Sequence, residues 1–404
     1  MPFEWFVAIR YLREGRVQTL LILAAVSVGV SVIVFLSALI NGLQTSLLKQ
    51  TLGTQPHITL VPAELVARPL FAATTVAATT IEKSPQRLQS INQWPTVLEQ
   101  VERVPGVVAA SHTVTGAAFA TRGVAEKPVL VHGVDPERFL SVIDVRSKMK
   151  AGHFRVSGDG VVIGVGLANL LGLAIGDKLR LSTTLGADAL VVVRGIFDLG
   201  SKDVNERWVI STLRVAQTLF DLPAGASSLE LRVASVFDAD TIAQDLAERT
   251  GLEANSWMKV NAQLLVGLRS QSNSKVMIQF FVVIAVALGI ASVLIVSVVQ
   301  KSREIGILRA VGTPASRVLR VFLIQGGLLG LTGSITGCAL GALFAKFFQT
   351  LASNADGSPI FPVELSPGLF AGASALAILI GLGSALLPAR RAARLDPGEA
   401  IRHG

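Results

Sequence analysis

Hydrophobic positions fall into four long runs, 17–40, 276–299, 318–348 and 369–387. None contains Asp or Glu, and each reaches the roughly 20 residues a helix needs to cross a bilayer. The third is overlong, with Arg320 and Lys346 near its ends, where long cationic side chains can reach the interface. The first is longer than the roughly 7–15 apolar residues of a signal peptide and lacks a clear A-x-A site, so an uncleaved signal anchor is expected. Four spans are thus predicted. They separate an N-terminal segment (1–16), a large segment (41–275), a short loop (300–317), a second loop (349–368) and a tail (388–404).

Residues 41–275 are patterned differently. "HITLV" (57–61) alternates like a strand, whereas 62–92 is rich in Ala, Thr, Ser and Pro and reads as a mobile loop. Trp94, Val97, Leu98, Val101 and Val104 share one helical face, and "PG" (105–106) stops that helix. "VVAASHTVTGAAFA" (107–120) and "PVLVHGV" (128–134) read as strands. A second helix is expected from an Asp238 cap through Ile242 and Leu246 to Gly251, followed by a strand at "LEANSW" (252–257). The helix-then-strand unit at 94–114 therefore recurs at 238–257. The expected fold is a four-span α-helical membrane protein with a large α+β domain of β-α-β units (41–134 and 227–275). A turn-rich β insertion at about 135–226 separates them.

Composition agrees: 51% of residues are hydrophobic and only 16% charged, against about 25% charged in soluble domains. The net charge of +8 is unevenly placed. Arg10, Arg13 and Arg16 precede the first span; Lys301, Arg303, Arg309 and Arg317 lie in the 300–317 loop; Arg390, Arg391, Arg394 and Arg402 lie in the tail. The 349–368 loop holds no Lys or Arg, and 41–275 is nearly balanced, with 23 basic and 21 acidic residues. The positive-inside rule then predicts cytoplasmic termini and a cytoplasmic 300–317 loop, with 41–275 and 349–368 outside. The basic balance is a topology signal and does not call for nucleic acid. The lone Cys338 lies in the third run, so the outer domain is expected to fold without a disulfide.

No catalytic constellation stands out. His57, His112, His132 and His153 lack metal-ligand spacing, no G-x-S-x-G occurs, and no G-x-x-x-x-G-K-[ST] phosphate loop occurs. "GVVIGVG" (160–166) lacks the G-x-G-x-x-G order. No cofactor is expected in this chain, and ATP-driven work would need another subunit.

The unusual stretch is "KSREIGILRAVGTPASRVLR" (301–320), six charges between two spans. Ser302 is a candidate N-cap, Ile305, Leu308 and Val311 give one apolar edge, and Gly312 stands where a C′ residue closes a helix. Thr313 and Pro314 open the next helix. By residues alone this is either an interfacial helix beside lipid headgroups or a rigid connector that docks a cytoplasmic partner. In the third span Gly333, Gly337 and Gly341 follow Gly326 and Gly330, a small-residue face expected to pack on span 4 or span 2 of the same chain.

"REIGILRAVGTP" (303–314) together with "LLPARRAARLDPGEAIR" (386–402) resembles the permease domain shared by FtsX, MacB and the lipoprotein-release permeases LolC and LolE, the mechanotransmission (type VII) ABC transporters. "AIRYLREGR" (8–16), "ALINGLQTSLLKQTLGTQPHITL" (38–60) and "GVVIGVGLANLLGLAIGDKLRLST" (160–183) extend the resemblance to the lipoprotein-release members. Departures are Gln325, where the family often has Glu, and Thr313, where Ala is usual.

The resemblance implies a non-catalytic permease of the bacterial inner membrane with a periplasmic, porter-like domain. It also implies a dimer, or a pair with a paralogue, bound to two copies of an ATPase that carries the ATP and Mg. The helix at 302–311 would be the coupling helix, with Arg303, Glu304, Ile305, Leu308, Arg309 and Gly312 as coupling residues. Ile305 and Leu308 would then fill a groove in the ATPase. A lipid-like substrate would pass between spans 1 and 2 of opposite subunits, with Phe35, Phe280 and Phe281 as candidates; aromatic residues facing membrane lipid are the plainer reading. The leading expectation is lipoprotein release to a periplasmic carrier. The alternatives are a MacB-like efflux permease working with an adaptor and an outer-membrane channel, and an FtsX-like regulator of a cell-wall hydrolase.

Overall fold

The computed structural model describes residues 3–63, 88–351 and 363–394. The chain divides into two units, Met1–Leu47 with Val266–Gly404, and Leu48–Leu265. It opens with helices α1 (Phe3–Glu14) and α2 (Arg16–Thr54). There follow β1 (Ile58–Val61), α3 (Trp94–Glu102), β2 (Val107–Arg122), β3 (Ala125–Val134), α4 (Pro136–Val142), β4 (Met149–Gly152), β5 (Gly160–Gly164) and α5 (Val165–Leu171). Next come β6 (Lys178–Ser182), β7 (Asp188–Phe197), α6 (Lys202–Arg207), β8 (Trp208–Thr212), α7 (Leu213–Leu219), β9 (Ser228–Val233), α8 (Ala239–Thr250), β10 (Glu253–Ser256) and α9 (Trp257–Val260). The chain continues through α10 (Ala262–Gln300), α11 (Ser302–Ala310), α12 (Ala315–Leu351) and α13 (Pro367–Ala393).

Among the described residues, α2, α10, α12 and α13 are the four helices long and apolar enough to cross a membrane. Two of them overrun their apolar stretches. Helix α2 continues past Ile40 to Thr54, and α10 starts 14 residues before Val276. No proline interrupts 41–54 or 262–275, and polar pairs replace apolar ones where the pattern stops. The two helices run antiparallel in one register. Gln18 bonds Gln300 at 3.1 Å, Gln279 bonds Ser37 at 2.8 Å, and Lys275 bonds Asn41 at 3.1 Å. Gln44 then donates to Ser272, again at 3.1 Å. Between the outermost pairs lie Ile22, Val26, Val286, Ile290 and Leu294, all buried.

The glycine face of α12 meets two neighbours in succession, and this corrects the expected partner. Gly326 and Gly330 do lie on span 4, α13, at Gly381 and Ala377. Gly333, Gly337 and Gly341 instead pack on span 1, α2. A Cβ at Gly333 would sit 2.5 Å from Val26, one at Gly337 2.7 Å from the Ser27 carbonyl, and one at Gly341 3.0 Å from the Ser31 carbonyl. All five glycines fall within one narrow stripe of α12, because successive steps of four and three residues nearly cancel their angular drift. Two helices share that stripe at different heights, which spacing alone does not reveal.

In the second unit one sheet runs β10-β1-β9-β2-β3-β8-β5-β7-β4, with β6 bonded to both β2 and β7. The helix-strand pairs α3–β2 and α8–β10 lie as expected, and Gly251 ends α8 at φ 67°. Asp238 occupies the N-cap of α8 without a side-chain bond there; the Ser256 hydroxyl donates instead to Asp240 at 2.8 Å. Leu48, Leu52 and Leu265, from the helix ends that enter this unit, pack on the core of Ile58, Leu98, Leu231 and Trp257.

The expected insertion is not separate. Strand β8 pairs in parallel with β3, and β6 pairs with β2 at Phe119–Thr121. The circuit β2-β3-β8-β5-β7-β6 therefore closes on itself, which removes the sheet edges along that path. Its interior is filled by alternate residues, among them Val114, Val131, Ile163, Leu179, Val193 and Val209. Because β2 and β3 serve both halves, the boundary drawn at 134/135 is crossed by the hydrogen bonding. Most of the expected 62–92 loop, residues 64–87, lies outside the described residues, as do 352–362 and the tail from 395.

Candidate functional site

Helix α11 is short but firmly defined. The first helical bond, Ile305 N–H to the Lys301 carbonyl at 2.9 Å, makes Lys301 the N-cap, one residue before the expected Ser302. At the other end Gly312 N–H donates to Arg309 O at 3.0 Å and Thr313 N–H to Leu308 O at 3.1 Å. These are the paired bonds of a Schellman motif, and Gly312 takes the left-handed φ of 99° that such a C′ residue needs. The sequence placed Gly312 correctly.

It did not orient the helix. Ile305 is 1% exposed and packs inward with Val298, Val318, Phe322, Ala389 and Ala392. Leu308 is half-buried and lines a small apolar cavity with Phe3, Val7, Tyr11 and Thr313. Both residues serve their own unit, so the expectation that they fill a partner's groove is corrected. The outward apolar pair is Ile307, 48% exposed, and Val311, 84% exposed, with exposed Arg303 one turn before Ile307. Spacing missed Ile307 because a nine-residue helix with Ile305, Ile307 and Leu308 admits more than one apolar edge. Arg309 is half-buried.

A charged cluster fastens α11 to α1. Lys301 Nζ donates to Glu14 at 2.5 Å and to Glu304 at 2.8 Å, and it lies over the Tyr11 ring, 5.5 Å from its centroid. Arg10 donates to Glu14 at 2.8 Å. Hydrogen bonds from Arg10 and Lys301 hold the Glu14 carboxyl below its usual range, and hydrogen bonds to Glu14 and Glu304 raise Lys301. Glu304, expected to set register with a partner, is thus engaged within the chain, while Arg303 is exposed. The tail motif begins on this surface. Ala389 and Ala392 pack beside Ile305; residues 395–402 lie outside the described residues. Gln325, buried on α12, donates to the Ala8 carbonyl of α1 at 3.4 Å.

Phe35 makes an edge contact with Phe348 of α12, 5.9 Å between centroids, while Phe280 and Phe281 pair with each other and are exposed.

The second unit holds a buried polar layer that sequence reasoning passed over. Ser111, Thr113, Ser228, Glu230 and His132 are all buried on neighbouring strands. Thr113 is 2.7 Å from Ser228 and donates to one oxygen of Glu230 at 3.3 Å; the other oxygen has no protein partner. Burial pushes the Glu230 carboxyl up to about 7, and burial pushes His132, its ring tilted at 43° against Trp208, down to about 4. In "SLELRV" Leu229, Leu231 and Val233 alternate with Ser228, Glu230 and Arg232, so the pattern carries no signal that Glu230 is buried. Among the described residues no group of three or more His, Cys, Asp or Glu is placed to hold a metal.

Residues 19–249 match the MacB-like periplasmic core domain, and residues 276–397 match the FtsX-like permease C-terminal domain. The chain belongs to the FtsX- and MacB-like family of ABC transporter permeases. Its relatives include the lipoprotein-releasing system transmembrane protein LolC of Neisseria meningitidis, 24% identical over 434 positions that cover 99% of each chain. LolC of Haemophilus influenzae is 25% identical over 421 positions, covering 100% of this chain and 99% of that one. The macrolide export ATP-binding/permease protein MacB of Shewanella oneidensis is 41% identical over 114 positions, 28% of this chain and 16% of that protein. Members of this family work with ABC ATPase partners.

Proposed function

We propose that this permease is the membrane subunit of a mechanotransmission transporter that releases lipoproteins from the inner membrane to a periplasmic carrier. End-to-end similarity to LolC carries this reading: both domains align in one order over 99% of each chain. The MacB match is stronger per residue but spans only 28% of this chain. Efflux with an adaptor is therefore the second reading.

The charge pattern supports cytoplasmic termini with residues 48–265 on the periplasmic side. In this arrangement α11 seats on a separate ATPase through Arg303, Ile307 and Val311, and Gly312 sets the exit into α12. The contacts of Lys301 with Glu14 and Glu304 make α1 and α11 move together. Helices α2 and α10 each continue unbroken from the span into the second unit, a covalent route for that movement. A second permease copy or paralogue would complete the complex.

The test is depletion of the protein in its host, followed by membrane fractionation with labelled lipoproteins. Accumulation of outer-membrane lipoproteins in the inner membrane is expected. Normal sorting, in a host shown to have no second release system, would refute the reading and leave efflux.

A further inference from the structure

The elbow between α1 and α2 carries an open, arginine-lined surface. Gly15 alone separates the two helices, and Thr19 Oγ1 donates to the Leu12 carbonyl at 2.8 Å. That bond occupies an acceptor left free where the helical ladder breaks, so the elbow has a defined shape.

Its outward face is banded. Phe6, 62% exposed, and half-buried Ile9 form an apolar patch. Exposed Arg10, Arg13 and Arg16 follow, and then exposed Val17 and Leu20 open the apolar run of α2. The arginines, with Phe6, Ile9 and Glu14, line an open groove of about 670 Å³, within the size range of small-ligand sites. The acidic member is already committed: Glu14 is held by Arg10 and, from α11, by Lys301. The groove is therefore cationic, with apolar surface on both sides.

We infer that this groove binds the headgroup phosphate of an anionic phospholipid, with the acyl chains lying along Val17 and Leu20. Guanidinium forks match phosphate oxygens, and arginines beside the start of a membrane span sit at headgroup depth. A soluble phosphate compound would meet the arginines but leave both apolar patches uncovered, so the assignment is to lipid. It rests on the reading that α2 crosses a bilayer.

The experiment uses the full chain in a neutral detergent, with phosphatidylglycerol added and bound lipid counted by native mass spectrometry. Phosphatidylcholine and glycerol 3-phosphate are the comparison ligands. Phosphatidylglycerol is expected to bind in preference to both. Each arginine removed in Arg13→Gln and Arg16→Gln should weaken binding by about fivefold. The double variant Arg146→Gln/Arg214→Gln, with the same charge change in the second unit, should leave binding unchanged. Equal retention by wild type and Arg13→Gln/Arg16→Gln would overturn the site, as would equal loss in the control. Unchanged melting of each variant in lipid-free detergent verifies that it is folded. Release of the wild-type chain from membranes by alkaline carbonate would refute the membrane reading itself, separately from the lipid site.

Discussion

Glu230 gives a prediction with a calculable size. The residue is 5% exposed, one carboxylate oxygen accepts from Thr113 at 3.3 Å, and the other has no protein partner. Burial raises its pKa from 4.5 to about 7. Below pH 4.5 the carboxyl is protonated in folded and unfolded chains alike, and its contribution is fully present. Between 4.5 and 7 the unfolded chain ionises while the folded one does not, so stability falls by about 1.4 kcal/mol per pH unit. The total loss by pH 7 is about 3 kcal/mol. Glu230→Gln keeps the shape and removes the titration. The variant should match wild type up to a constant below pH 4.5, gain on it steadily to pH 7, and hold that advantage above. Three of the four tryptophans, Trp94, Trp208 and Trp257, lie in the second unit. Denaturant titration of the detergent-solubilised full chain, followed by tryptophan fluorescence, therefore reports mainly on this unit. His132 acts in the opposite sense. Its pKa is lowered from 6.5 to about 4, so its contribution is present above 6.5 and lost as pH falls towards 4. Burial lowers His57 and His112 in the same direction. The wild-type profile is consequently flattened, and only the difference between wild type and variant isolates Glu230. A difference that stays constant from pH 4.5 to 8 would refute the argument.

Three further outcomes test the connector and the bundle. Gly312→Val places a β-branched residue at φ 99° with open space around it, so the cost is backbone strain of about 1–2 kcal/mol; the chain should insert, but transport-coupled ATP turnover in a reconstituted complex should fall, and unchanged turnover would sink the idea. Ile307→Glu should abolish copurification with the ATPase without lowering the melting temperature, whereas Ile305→Ala should cost about 2–4 kcal/mol of stability; the opposite assignment in pull-down and melting assays would reverse the orientation of α11. Gly337→Leu would drive a side chain into the Ser27 carbonyl and Val30 of α2, lowering the melting temperature in detergent, while Gly372→Leu, where nothing lies within 4 Å, should be nearly neutral.

Several features of this protein follow from local chemistry, and the sequence alone determined them. Four apolar runs became four long helices because an uninterrupted apolar run without proline satisfies its backbone groups within its own segment. Gly312 closed α11 because a left-handed C′ position selects glycine wherever it occurs. The strands at 58–61, 107–122 and 125–134 and the helices at 94–102 and 239–250 follow from periodicity and turn residues. The family could be read because two motifs combine in one chain.

Tertiary structure decided which neighbour each surface meets, because contacts between distant segments leave no mark on local spacing. Ile305 turned inward once Val318, Phe322 and Ala389 arrived from α12 and α13, and that left Ile307 outside. The glycine stripe of α12 was legible as a face, but its division between α13 and α2 depends on where those helices cross it. The pairing of β8 with β3 and of β6 with β2 joined an apparent insertion to its host in one closed circuit. Glu230 looks like an ordinary charged residue in "SLELRV" until β2 and β9 come together and remove it from water. Burial is a property of the assembled sheet, and the pKa of about 7 exists only there.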